Sequence, residues 1–220
     1  MLKPLEHIKT VIFDWDGTLH DSFHIYKPAF LKSMSFLVKE GYILHANYED
    51  DIIKTYLGLN PKDMWASFTP KLPDHIKEEA SAIISKSMTE SILNHEARLY
   101  EGALDTLKYL KDKGYHLVYL SNSKTYYMNL MDEVFDLCRY FDLMIASEMY
   151  QFMPKKMILE RIKSTLQKPA IMIGDRFLDI ETGMYNKFDT IGCLYGYGKQ
   201  NELKDATYLI TNIKDLEKLL

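Results

Sequence analysis

Three stretches of this chain end an apolar run in residues able to do chemistry. Phe13 to Ser22 reads FDWDGTLHDS and sets Asp14 and Asp16 one residue apart; His116 to Ser121 runs into Asn122 and Ser123; Ala170 to Gly174 runs into Asp175, with Asp179 four residues further. Crowded carboxylates repel one another, so such a cluster is stable as anions only beside a cation. An oxygen-only set with few carboxylates suits Mg²⁺, which keeps several waters and binds substrate phosphate as well. A carboxylate held beside that ion and a phosphoryl group is a competent nucleophile, giving an aspartyl-phosphate. A second carboxyl nearby can protonate the leaving oxygen and then deprotonate the attacking water. Gly17 permits the sharp turn after Asp16, and Ser121 with neighbouring N–H groups can hold phosphate oxygens.

These residues converge only if the runs are strands of one sheet. Thr10 to Trp15, His116 to Ser121, Phe141 to Ser147, Ala170 to Asp175 and Asp189 to Tyr195 read as buried strands. Helical patterns separate the last four, such as Lys155 to Leu166 with Ile158, Leu159, Ile162 and Leu166 on one face. Strand and helix in alternation imply an α/β fold, a Rossmann-like parallel sheet whose ligands bind at the carboxyl ends of the strands. From Phe23 to Glu96 the rhythm breaks. Tyr26, Phe30, Met34, Leu37 and Val38 recur at helical spacing, as do Ile76, Ala80, Ile83, Ile84, Met88 and Ile92, with Asp74 expected as N-cap of the second run. The expected layout is an α/β core over residues 1–19 and 100–220 and an all-helical cap domain over residues 20–99, inserted after the first strand.

At 220 residues and 47% hydrophobic, the chain can bury a sizeable core. A net charge of −4 and the lack of a basic stripe interleaved with aromatics argue against a nucleic-acid partner. No apolar stretch approaches the roughly 18 residues of a membrane span, and Met1 to Thr10 has no continuous apolar segment of a signal peptide. Cys138 and Cys193 are far apart and read as reduced thiols, so a cytoplasmic protein is expected, monomeric or a homodimer.

Asp14-Trp15-Asp16-Gly17-Thr18, Ser121-Asn122 and Gly174 to Asp179 resemble three of the four motifs of the haloacid dehalogenase superfamily. YEGALDTLKYLKDKGYHLVYLSNS and TIGCLYGYG resemble its phosphoglycolate phosphatase-like branch, whose members carry a helical cap after the first motif. The resemblance implies roles. Asp14 would be nucleophile and metal ligand, and Asp16 general acid/base, its main-chain carbonyl also on the metal. Ser121 would bind phosphate with Asn122 beside it; Asp175 would be a further Mg²⁺ ligand and Asp179 would orient the metal's waters. The implied function is a Mg²⁺-dependent phosphatase acting on a small phosphorylated metabolite. The alternatives are a phosphomutase or phosphotransferase with the same intermediate, or a non-catalytic phosphate-binding regulatory module. Asp16 argues against dehalogenases and phosphonate-cleaving relatives, and Thr18 resembles phosphatases more than mutases.

The third motif departs from the pattern. Relatives carry a Lys before a proline and a helix; here YQFMPKKMIL puts Met153 or Gln151 at that place. Lys155 follows in the first helical turn, where side chains lean back toward the helix start, and is the expected substitute, with Lys156 or no cation as alternatives. His20 and His24 have the spacing of a zinc pair but no third ligand, and are expected to flank a hinge into the cap. Trp65 is expected in the cap core, Tyr56 to Trp65 to contain a loop facing the site, and Arg176 to be a surface or ion-pairing residue.

Overall fold

The computed structural model describes residues 5 and 7–220, so part of Met1 to Thr10 lies outside the described residues. The chain opens with β1 (Thr10–Phe13) and passes at once into four helices: α1 (Phe23–Lys39), α2 (Asp50–Lys54), α3 (Pro61–Ser67) and α4 (Asp74–Leu93). It then alternates through α5 (Ala103–Asp112), β2 (His116–Ser121), α6 (Thr125–Phe135), β3 (Leu143–Ala146), α7 (Lys155–Ile162), β4 (Ala170–Gly174), α8 (Phe177–Tyr185) and β5 (Asp189–Cys193). β6 (Tyr208–Ile210) and α9 (Leu216–Leu219) close it. The six strands form one parallel sheet in the order β3-β2-β1-β4-β5-β6.

Residue alternation along the strands fills two layers. Val11, Phe13, Leu117, Tyr119, Ile171 and Ile173 face α5, α6 and α9, while Ile12, Val118, Leu120 and Met172 face α7 through Ile158, Leu159 and Ile162. With both faces covered, the strands read as continuous apolar runs rather than alternating ones. The helical insertion has its own core, in which Tyr26, Phe30, Met34 and Leu37 of α1 pack with Ile76, Ala80 and Ile84 of α4 and with Trp65 and Phe68. The Trp65 indole also donates to Ser81 Oγ at 2.7 Å, joining α3 to α4. The two linkers between core and insertion lie side by side, with Asp21 N donating to Arg98 O at 2.8 Å and Tyr100 N to Leu19 O at 2.9 Å.

Several boundaries differ from expectation. Strands β1, β4 and β5 stop at Phe13, Gly174 and Cys193, before the polar or glycine-rich turns that follow. β6 has only three residues, too few to show a period. α7 ends at Ile162, four residues early, although Leu166 still packs in the same layer. Pro73, not Asp74, is the N-cap of α4; Asp74 is the first helical residue and pairs instead with Lys77 at 2.9 Å. Among the described residues, no helix is long and apolar enough to cross a membrane. Both thiols are free, Cys138 exposed and Cys193 buried.

Candidate active site

The chain runs from β1 outward to β2 and β3 on one side and from β4 to β5 and β6 on the other. The reversal falls between β1 and β4, and a crevice opens there at their carboxyl ends. Asp14 follows β1 and donates its N–H to Ile173 O of β4 at 2.9 Å, which sets it beside Asp175 at the end of that strand. Asp14, Asp175 and Asp179 are all buried, and each offers a carboxylate oxygen within 4.8 Å of the others. Gly17 turns the chain at φ +87° directly against Asp175, where a Cβ would collide with the carboxylate; Gly196 also lies against Asp175 and beside the Gly17 carbonyl, with no room for a Cβ. Asp175 Oδ2 accepts from Tyr197 N at 2.6 Å and Gly198 N at 3.3 Å, while its Oδ1 is buried with no partner.

Burial, and next the Asp179 charge, push the Asp14 carboxyl well above the ordinary range, against the pull of Lys155. The same two causes push Asp175 up to about 7. A fold that holds buried carboxylates so unfavourably, one oxygen aimed at nothing, is suited to a divalent cation that would relieve the repulsion. The donors are all oxygen, as Mg²⁺ requires. Asp14 and Asp175 are free to serve. Asp179 is more committed, since Oδ2 accepts from Arg176 N at 3.0 Å at the start of α8 and Oδ1 faces a lysine.

That lysine is Lys155. Its Nζ lies 2.7 Å from Asp14 Oδ1 and 2.6 Å from Asp179 Oδ1, in a buried three-charge bridge. Burial alone would lower the ammonium's pKa, but the two carboxylates outweigh it and hold it above its ordinary range. Local backbone explains the reach. Gln151 and Phe152 both adopt left-handed conformations (φ +57° and +56°) and reverse the chain ahead of α7. Met153 then packs into the apolar layer with Ile158 and Leu159, and Lys155, at the helix start, enters the crevice. Lys156 turns away to Glu181 at 2.7 Å.

Asp16 points elsewhere. Its Oδ1 accepts from the Tyr127 hydroxyl at 2.7 Å and lies 3.0 Å from His20 Nδ1. Tyr127 and His20 also meet at 3.0 Å. The buried His20 ring stacks on Trp15 at 5.6 Å, so its plane is fixed. Burial first, and then the Asp16 charge, push the Tyr127 phenol well up, keeping it a proton donor. Hence His20 supports Asp16 rather than zinc; His24 is exposed. Sequence reading missed Tyr127, which sits in the first turn of α6 with no local mark of its role.

Ser121 is buried at the end of β2, two strand positions beyond the residue level with Phe13. Asn122 is turned toward the insertion and donates Nδ2 to Gly58 O at 2.8 Å. Arg176 binds Glu202 through Nε at 3.0 Å and reaches Leu57 O with Nη1, so the expected ion pair is there together with a second tie to the same loop. The Tyr56 to Leu59 turn thereby closes over the crevice. Tyr197, from the glycine-rich stretch after β5, holds the linker into α1 instead, accepting from Phe23 N at 2.9 Å and donating to Asp21 at 3.0 Å.

Residues 11–193 match the family model of haloacid dehalogenase-like hydrolases. The chain is 29% identical to the phosphoglycolate phosphatase of Aquifex aeolicus (strain VF5), covering 97% of each. It is 22% identical to pyrophosphatase PpaX of Anoxybacillus flavithermus, again over 97% of each. Among solved structures it resembles a predicted phosphatase from Clostridium acetobutylicum, with a TM-score of 0.78 and 26% identity over 96% of this chain and 97% of that one.

Proposed function

The chain belongs to the haloacid dehalogenase-like hydrolases, and we propose that it is a phosphatase cleaving a small phosphomonoester through an aspartyl-phosphate on Asp14. The observation that carries this reading is Lys155. The motif that should supply a lysine lacks one, yet a lysine Nζ stands 2.7 Å from the Asp14 carboxylate. Asp14, Asp175 and the main-chain carbonyl of Asp16 would hold Mg²⁺, which when bound neutralises phosphate charge and keeps the carboxylates ionised.

The chain's own groups then divide the work. A carboxylate oxygen of Asp14 forms a bond to phosphorus as the bond to the leaving oxygen breaks. The leaving oxygen takes the proton of the Asp16 carboxyl, which Tyr127 and His20 hold in place. Asp16, now a carboxylate, removes a proton from water as that water attacks phosphorus, releasing phosphate and restoring Asp14. Lys155 offsets charge gathering on the nucleophile and phosphoryl oxygens. Ser121 donates to a phosphoryl oxygen, and the loop held by Asn122 and Arg176 excludes water.

The test is phosphate release from phosphomonoesters by wild-type and Asp14→Asn protein, with Mg²⁺ or with excess chelator. The amide fills the same space without an anionic nucleophile, so release should vanish while the protein stays folded. Release by Asp14→Asn near the wild-type rate overturns the covalent route, and full activity in chelator removes the metal from it.

A further inference from the structure

Between the sheet edge and the insertion lies a cavity of about 150 Å³ that meets the catalytic edge at Asp16. Asp14, Asp175 and Lys155 do not line it. It therefore extends from the group that protonates the leaving oxygen, which is where the alcohol half of a phosphomonoester must lie. Its wall is apolar and aromatic, with Tyr26, Tyr56, Leu59, Met64, Ile84 and Met88 as its main surfaces. The Tyr26 hydroxyl donates to Met64 sulfur at 3.5 Å, and burial holds that phenol neutral. Serine and threonine hydroxyls enter along one stripe of α4, at Ser81, Ser85 and Thr89, and at Ser123 on the opposite wall; Ser81 already accepts from Trp65.

Charge is sparse there. The charged residues of the lining are Asp16 and Lys124, one of each sign, and Lys124 sits three residues past Ser121 on the phosphate-binding loop. Two lysines of α1 are engaged elsewhere, Lys27 with Asp50 at 2.6 Å and Lys32 with Ser87 at 2.9 Å, and Lys124 is the one lysine in the lining. A carboxylate or second phosphate placed here would be desolvated next to Asp16 with no arginine to fork onto it. A neutral ring would replace water against apolar walls, and a cavity of roughly 150 Å³ is the size that takes up one benzene ring.

Resting on the phosphatase reading above, we infer that the leaving group is an uncharged, single-ring, largely apolar alcohol, with neutral polar substituents directed at the Ser81, Ser85 and Thr89 stripe. Glycolate and a second phosphate are disfavoured, so the chain differs in substrate from the relatives named for phosphoglycolate and pyrophosphate.

The experiment measures kcat/KM with Mg²⁺ for benzyl phosphate, phosphoglycolate and inorganic pyrophosphate. Benzyl phosphate and phosphoglycolate are both primary alkyl phosphates that differ in carrying a neutral ring or a carboxylate on the same CH₂, which is the contrast the inference concerns. Benzyl phosphate should lead by about tenfold or more, as expected for burying one aromatic ring. Leu59→Lys, a loop substitution that adds a cation to the wall, should narrow or reverse that lead. Phosphoglycolate or pyrophosphate ahead of benzyl phosphate in the wild type overturns the inference and leaves the phosphatase reading standing. A benzyl phosphate lead that Leu59→Lys does not alter overturns the cavity as its cause. No phosphate from any of the three, nor from 4-nitrophenyl phosphate, overturns the phosphatase reading and this inference with it.

Discussion

Replacing Asp175 by Asn should stabilise the metal-free protein at pH 8 while abolishing its response to Mg²⁺. In the unfolded chain an aspartate loses its proton near 3.8, whereas burial and Asp179 hold the folded Asp175 carboxyl protonated up to about 7. Between those values the folded state binds the extra proton, so stability is full below pH about 4 and falls as pH rises through about 7. The difference corresponds to roughly 4 kcal/mol lost by pH 8. Asparagine does not titrate. Its Oδ1 can accept from Tyr197 N and Gly198 N as Asp175 Oδ2 does, and its NH₂ then takes the place of the unpartnered Oδ1, near Asp14 and Asp179. Placing that NH₂ imperfectly costs about 1–3 kcal/mol. The net expectation is a gain of about 1–3 kcal/mol at pH 8 that reverses to a loss of about 1–3 kcal/mol near pH 4. Denaturant unfolding in chelator at the two pH values measures it. Adding Mg²⁺ at 100 times its dissociation constant should return about 2.7 kcal/mol to wild type and little to Asp175→Asn. An Asp175→Asn protein less stable than wild type in chelator at pH 8 would refute the electrostatic account of this cluster.

Lys155→Ala should lower turnover by about 10² or more, typical of losing one electrostatic stabiliser, while Lys156→Ala, tied to Glu181 at the surface, should leave initial rates unchanged; Met153→Lys should not rescue the first, because Met153 packs in the apolar layer. Asp16→Asn should cost about 10² to 10⁴ on substrates with poor leaving groups and much less on aryl phosphates, and Tyr127→Phe should show the same selectivity at smaller size, read from rates across a leaving-group series. Asn122→Ala with Arg176→Ala should free the Tyr56 to Leu59 turn, raising KM and speeding hydrogen exchange there; unchanged exchange would mean the two ties do not hold the loop. Ca²⁺ in place of Mg²⁺ should support little turnover, because its longer bonds and higher coordination number let a carboxylate bind through both oxygens and misdirect the nucleophile.

Much of the acidic edge of the sheet was legible in the chain because its signals are local. Asp14, Asp16 and Asp175 each follow an apolar run long enough to read as a buried strand, and parallel strands bring their carboxyl ends to one edge. The strandless interval was equally plain, since helical spacing of large apolar residues persists across it. What failed locally was short or set by neighbours: β6 has three residues, and α4 takes Pro73 rather than Asp74 as its cap.

Pairings across distant elements had no such signal. Local reading favoured Lys155, with Lys156 or no cation as alternatives; two left-handed residues and the packing of Met153 set Lys155 on Asp14, 141 positions away, and Lys156 on Glu181. Asp16 finds Tyr127 at a separation of 111 residues, and Asn122, expected beside the phosphate-binding Ser121, meets Gly58 across the crevice. Side-chain period and strand-end chemistry follow from near neighbours along the chain, so the sequence alone determined the sheet, the insertion and the acids. Which charge faces which is set by Coulomb and desolvation energies that depend on packed distances, and only the tertiary structure decided those.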